Sequence, residues 1–219
     1  FNRIYQMVLN FCNNELSSFF FDVRKDSLYC NSPNSETVKS TKSVMIIIFE
    51  FLIRWLSPLI PFTMEEAWQC WRKEINPKAE ESCHLLNRKE CESIWLNKQV
   101  SEDWRIIFEV RDVFLSIVEE KRNKKHLKSS MEANVFLFIS DDNYLKVLKR
   151  VNLSEILISS KVDFVNNIDD SYTGSSDKSN LKIKVEVSKG KKCPRCWQIF
   201  VDNDKELCLR CESVINETI

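Results

Sequence analysis

The sequence predicts a mainly α-helical chain with a small α+β part and a cysteine-rich knuckle at its end. Three observations predict it. Apolar residues recur at helical spacing through roughly the first 95 residues. The period changes to two at Ala133–Ile139 and again at Leu181–Val187. Four of the nine cysteines crowd into the last 27 of 219 residues.

Taken in order, Ile4, Val8, Phe11, Cys12, Glu15 and Phe19, widened by Leu9 and Leu16, trace a first helix. Ser32-Pro-Asn-Ser35 and the Ser40–Ser43 neighbourhood are read as punctuation before an apolar helix over Val44–Leu56. Its Glu50 and Arg54 lie four apart, on one solvated face where they can pair. Ser57-Pro58 and Pro61 stop it, and Thr63 with Glu66 reads as a capping box opening a third helix to about Ile75. Trp55, Trp68 and Trp71 are expected to pack between these helices. After a polar connection, Ser101 is the expected N-cap of a long helix through Lys125 that is apolar on two faces. It ends in Lys121, Arg122, Lys124, Lys125 and Lys128, which offset the helix dipole or offer a basic patch.

Ala133, Val135 and Leu137 alternate with Asn134, Phe136 and Phe138 as a strand, and Asp141 caps a short helix. Ile156–Ile158 and Val162–Val165 are candidate short strands. Ser171–Asn180 is expected as a polar loop, and Leu181–Val187 as a strand with one wet face. The expected domains are 1–98 (helical bundle), 99–188 (long helix plus α+β junction) and 189–219 (cysteine knuckle).

Composition excludes several function classes. Charge balances at 32 basic against 32 acidic residues, so any polyanion footprint must be a local patch. Gly174 and Gly190 are the only glycines, so no GxGxxG or Walker loop exists to cradle a phosphate. The most apolar stretch, Val44–Leu56, is too short for a membrane span of ~20 residues. A soluble, cytoplasmic, monomeric chain is expected, and the start at Phe1 reads as a fragment of something longer. An odd cysteine count argues against a closed disulfide framework and for a reducing compartment.

Cys193-Pro-Arg-Cys196 and Cys208-Leu-Arg-Cys211 carry the most specific signal. Two residues between cysteines let both thiolates of a turn reach one ion, and two such turns supply a tetrahedral S4 site. Eleven residues separate the pairs, with Asp202-Asn203-Asp204 offering turn chemistry. A closed S4 set is structural rather than catalytic. Zinc is the first reading; an iron–sulfur centre and a redox CxxC are the alternatives. Around it Lys182, Lys184, Lys189, Lys191, Lys192 and Arg195 face Glu186 alone. Lysines that take phosphates and an indole that stacks on bases suit single-stranded RNA, making Lys189, Lys191, Lys192, Arg195 and Trp197 candidate contacts. Arg122, Lys124 and Lys125 form the second candidate patch. Trp197 reads equally well as a cover over the metal. Cys70, Cys83, His84 and Cys91 have irregular spacing and are read as buried thiols.

Together these segments resemble the C-terminal part of the bacterial-type isoleucyl-tRNA synthetase family of class I aminoacyl-tRNA synthetases. The resemblance rests on Asn10-Phe11-Cys12 with Glu15–Tyr29, on Ser57-Pro-Leu-Ile-Pro-Phe-Thr-Met-Glu-Glu-Ala-Trp68, and on Glu81-Ser-Cys-His-Leu85. Arg111-Asp112, Glu119–Arg122 and Ser129-Ser-Met-Glu-Ala133 continue it, and Cys193-Pro-Arg-Cys-Trp197 with Leu207–Cys211 points to the isoleucine branch. Where that family usually has glycine before the Ser-Ser pair, this chain has Lys128. The resemblance implies an anticodon-binding bundle, an α+β junction and one structural zinc, in a parent enzyme that joins isoleucine to its tRNA with ATP and magnesium. The HIGH and KMSKS signatures of the catalytic domain are absent from these residues, so no activity is expected of them alone. The implied partners are tRNA and the catalytic and editing domains. A DNA-repair glycosylase tail with a four-cysteine finger, and a protein-interaction module with structural zinc, are the rival readings.

Overall fold

The computed structural model describes residues 1–169, 171, 172, 174–176, 181–201 and 204–218, the side chains of 174–176 and 218 excepted. The chain folds as two compact units, Phe1–Ser18 with Pro33–Leu96 and Phe19–Ser32 with Asn97–Ile219.

The first unit is helical. Helix α1 (Asn2–Asn10) runs into a π-helical stretch, Phe11–Phe21, in which Leu16 is the buried residue. Helix α3 spans Glu36–Leu56, capped by Ser35, so Ser40–Ser43 lie inside it. Their hydroxyls do not break the helix because each bonds back to it: Ser40 and Thr41 donate to Thr37 O, and Ser43 to Lys39 O. Helix α4 is Pro61–Glu74. It starts at Pro61, whose fixed φ suits the first helical turn, and not at a Thr63 capping box. Ile53, Trp68 and Cys83 form the core, with Phe49, Met64, Trp71 and Leu86 against it. Trp68 stacks on Trp71 at 4.9 Å and donates Nε1–H to Glu80 O at 2.9 Å. Trp55 is 48% exposed and so departs from the core role expected for it. Nor is the Glu50–Arg54 face open: Arg54 donates to Asn87 O and Lys89 pairs with Glu50, so the 87–89 segment covers it.

The second unit contains α2 (Asp22–Cys30) and the long α5 (Lys98–Asn123). Asn97, not Ser101, caps α5: its side chain accepts from Val100 N, while Ser101 sits one turn in and donates to Asn97 O. Ile107, Val110 and Phe114 of α5 pack on a four-stranded sheet of order β2-β1-β4-β3. Strands β1 (Ala133–Phe138) and β4 (Leu181–Val187) pair antiparallel with Val135 opposite Val185. Strand β2 (Lys161–Phe164) pairs parallel with β1 after α6 (Asp142–Leu148) and α7 (Leu153–Leu157). Asp141 caps α6 as its sequence predicts. Ile156–Ile158, read as a strand, belongs to α7 and its end: Asn152 caps the helix and Ile158 closes it at φ +54°. Part of the expected polar loop is strand β3 (Gly174–Ser176), the partner of β4. Arg111 of α5 is buried, donates to Ile156 O at 2.5 Å and lies 5.3 Å from the Phe19 ring centroid.

Two expectations about organisation change. Phe19–Ser32, placed in the first bundle, belongs to the second unit, and so does the 189–219 knuckle. Contacts distant in sequence cause this: Arg24 with Glu155, Arg210 with Asp26, and Ile199 N with Ser160 Oγ. Lys128 adopts no positive φ; Lys125, at +59°, makes the left-handed turn after α5. Among the described residues no helix is long and apolar enough to cross a membrane.

Candidate metal centre and basic face

Strands β5 (Lys191–Lys192) and β6 (Ile199–Phe200) form a two-stranded ribbon that carries the first cysteine pair at its tip. The turn closes through Cys193 N to Gln198 O at 2.9 Å and Trp197 N to Cys193 O at 2.8 Å. Gly190 enters the ribbon at φ +142°, where a Cβ would stand 2.3 Å from Phe200 O, so only glycine fits. The second pair lies at the start of α8 (Leu209–Thr218). Asp202 and Asn203, the expected turn residues, lie outside the described residues.

The Sγ atoms of Cys193, Cys196, Cys208 and Cys211 all lie within 4.8 Å of one another, three buried and Cys208 half-buried. Cys196 and Cys208 sulfurs are 3.6 Å apart. That is close to the ~3.8 Å edge of a tetrahedron with metal–sulfur bonds of ~2.3 Å, and too long for a disulfide. The donor set therefore fits a four-coordinate ion. Burial pushes the Cys196 and Cys208 thiols up. Burial acts on Cys193 too, but the N–H groups of Cys196, Cys208 and Arg195 outweigh it and hold that thiol down at about 6.

Trp197 follows at φ +67° and is 61% exposed, while Phe200 and Leu207 are the partly buried apolar side chains packed against the cysteines. Lys192 Nζ stands 5.2 Å from the Trp197 ring centroid. Lys189 and Lys192 are exposed, and Lys191 donates to Lys205 O at 3.2 Å. Arg195 is engaged differently: its guanidinium donates to Cys30 O at 2.6 Å and Tyr29 O at 3.2 Å, satisfying carbonyls at the end of α2. Arg122 and Lys124 are exposed and pair with Glu119 and Glu120 on α5; Lys125 is exposed.

Of the four residues read as buried thiols or their neighbour, only Cys83 is buried; Cys70, Cys91 and His84 are exposed. Glu65, Cys83 and His84 do gather within 4.8 Å. The Glu65 carboxylate is already occupied, accepting from Gln69 Nε2 at 2.6 Å, Ser82 Oγ at 2.8 Å and Cys83 N at 3.0 Å. These bonds, Gln69 first, hold its carboxyl down at about 2. The group ties α4 to the following loop.

Sequence reasoning missed Asp26, Cys30 and Arg210. Cys30 packs on the knuckle cysteines and its thiol faces Arg195 O at 3.6 Å. Arg210 holds Asp26 through Nη1–Oδ2 at 2.5 Å and Nη2–Oδ1 at 2.7 Å. An arginine inside the second CxxC was visible in the sequence; its partner 184 residues away was not.

The family model for the anticodon-binding domain of tRNA ligase matches residues 1–137, more than half of the chain. The chain belongs to that family. This anticodon-binding-domain chain is 36% identical over 224 residues to an isoleucine–tRNA ligase of Zymomonas mobilis, covering 99% of the chain and 22% of that protein. It is 36% identical over 203 residues to the ligase of the same name from Bartonella quintana, covering 92% of the chain and 20% of that protein. To that of Fervidobacterium nodosum it is 32% identical over 222 residues, covering 98% and 23%. The chain thus spans about a fifth of the length of the curated relatives it matches.

Proposed function

We propose that this chain is the tRNA-holding part of an isoleucine–tRNA ligase, a cytoplasmic enzyme that attaches isoleucine to its tRNA using ATP and magnesium bound elsewhere in the longer protein. The observation that carries the reading is the likeness to isoleucine–tRNA ligases across 92–99% of the chain. Residues 1–98 supply the anticodon-binding bundle, 99–188 the long helix and α+β junction, and 189–219 a zinc knuckle that presents Lys189, Lys191, Lys192 and Trp197 to RNA. Arg195 serves the knuckle's own seat, and Arg122, Lys124 and Lys125 are the second RNA face. Cys193, Cys196, Cys208 and Cys211 hold zinc, which draws the four thiolates together and closes the fold. By itself the chain binds as a monomer and does not activate isoleucine.

Titrating the chain with an isoleucine-accepting tRNA transcript at several salt concentrations tests this. Lys189→Glu with Lys192→Glu is expected to weaken binding and to flatten the salt dependence by about one slope unit per lost phosphate contact. Wild-type affinity that does not distinguish tRNA from a DNA hairpin would support the DNA-repair reading instead.

A further inference from the structure

The knuckle is fastened to α2 by reciprocal contacts. Arg195 donates from the first CxxC turn to the last carbonyls of α2, and the Cys30 thiol faces Arg195 O in return. From the second CxxC turn, Arg210 forks onto Asp26 and reaches Asn31 Oδ1 at 3.5 Å. The third donor of that guanidinium is the unusual one. Arg210 Nε is buried and has no hydrogen-bond partner, on a residue that lies between Cys208 and Cys211 of the four-sulfur cluster, and the charge of the Cys196 sulfur acts on its guanidinium. A buried N–H left unpaired is costly. Four thiolates on one divalent ion leave a net dianion, whose sulfurs accept strongly from a cation.

We propose that Arg210 is the positioning residue of the metal centre: its Nε–H donates to the Cys196 thiolate of the loaded site while its two terminal amines hold Asp26, so that metal loading and the seating of α2 become one event. The inference rests on the reading that the four cysteines hold a metal. Its chemistry is that of an outer-shell donor, which orients a ligand and stabilises its anionic form. Arginine suits the position because its planar fork serves sulfur and a bidentate carboxylate at once, whereas an ammonium serves one centre. The consequence is long-range in sequence. Removing the ion leaves Nε without an anionic acceptor, and α2 loses the element against which Asp26, Cys30 and the Tyr29 carbonyl are held.

The experiment uses the whole 219-residue chain, stripped of metal and reloaded with zinc or cobalt(II). Metal affinity is read by chelator competition, ligand geometry by the sulfur-to-cobalt charge-transfer band, and α2 by hydrogen exchange of its amides. Arg210→Met is expected to weaken zinc binding about 10- to 100-fold, the usual range for outer-shell partners, and to shift the cobalt band. Arg210→Lys keeps the charge and is expected to restore only part of either. Asp26→Asn leaves the knuckle intact and keeps affinity closer to wild type, but α2 exchange near Ser27–Asn31 no longer slows on metal addition. Arg210→Met with affinity within twofold of wild type and an unshifted band overturns the proposal. So does α2 exchange in the wild type that is indifferent to metal. A wild-type chain that takes up no metal overturns the metal reading itself, and this inference with it.

Discussion

Trp68 and Cys196 each sit in a small buried cluster, yet the two clusters hold their surroundings by different means. Around Trp68 the bundle has Ile53, Phe49, Met64, Trp71 and Leu86, enough aromatic and aliphatic surface to fold on apolar burial. Around Cys196, among the described residues, the cluster is made of cysteines with Phe200 and Leu207 packed against them. A two-stranded ribbon of two residues a side cannot stand alone. The bundle spreads its stability over many weak contacts; the knuckle rests on a four-sulfur cluster that could hold one ion and on a few charged hydrogen bonds. A single substitution should therefore weaken the bundle and abolish the knuckle.

The largest expected effect is Cys208→Ser. It removes one of four ligands and should lower metal affinity by more than the ~100-fold that marks the upper end of outer-shell changes. Amide protection should vanish over Lys191–Phe200 and α8 and persist in α3 and α4, as hydrogen exchange can read. On the proposed function, the longer protein carrying this variant should keep near-normal isoleucine-dependent pyrophosphate exchange while tRNA charging falls. If both collapse together, the knuckle supports more than itself and the comparison breaks.

Trp68→Ala is next. A deleted buried indole costs about 3–5 kcal/mol, together with the Nε1–Glu80 bond. Calorimetry should show a lower thermal transition for the bundle, with metal content unchanged. Gly190→Ala comes third: a Cβ driven against Phe200 O at a φ of +142° costs about 1–3 kcal/mol of backbone strain. Because binding energy is folding energy in such a knuckle, the loss should be read as weaker metal uptake rather than a shift in the bundle's transition.

The smallest effect sharpens the bundle's side. The Glu65 carboxyl is held near 2, against an ordinary value of 4.5, by Gln69, Ser82 and Cys83. A depressed folded pKa contributes stability that is full above the unfolded value and is lost as pH falls through the folded one. Acid titration between about 4.5 and 2 should erode the bundle's stability, and Glu65→Gln should flatten that part of the curve.

The contrast also separates what could be read from the chain. The two CxxC turns, the Asp141 cap, the alternation of Val135 and Leu137, and the two-faced α5 follow from neighbours a few residues apart. Dihedral preferences and local hydrogen bonds decide those, so spacing alone exposes them. Misplaced starts had the same local cause: Thr63 and Ser101 are fair caps, but Pro61 suits a first helical turn and Asn97 is a fair cap, and both come first. Tertiary structure decided the rest. It drew Phe19–Ser32 into the second unit, exposed Trp55, and turned Trp197 outward where covering the sulfurs was an equal possibility. It also gave Arg195 to the end of α2 and set Arg210 on Asp26. Which carboxylate meets a guanidinium across 184 residues depends on how helices and strands pack, and the side chains on either side carry no local trace of that choice.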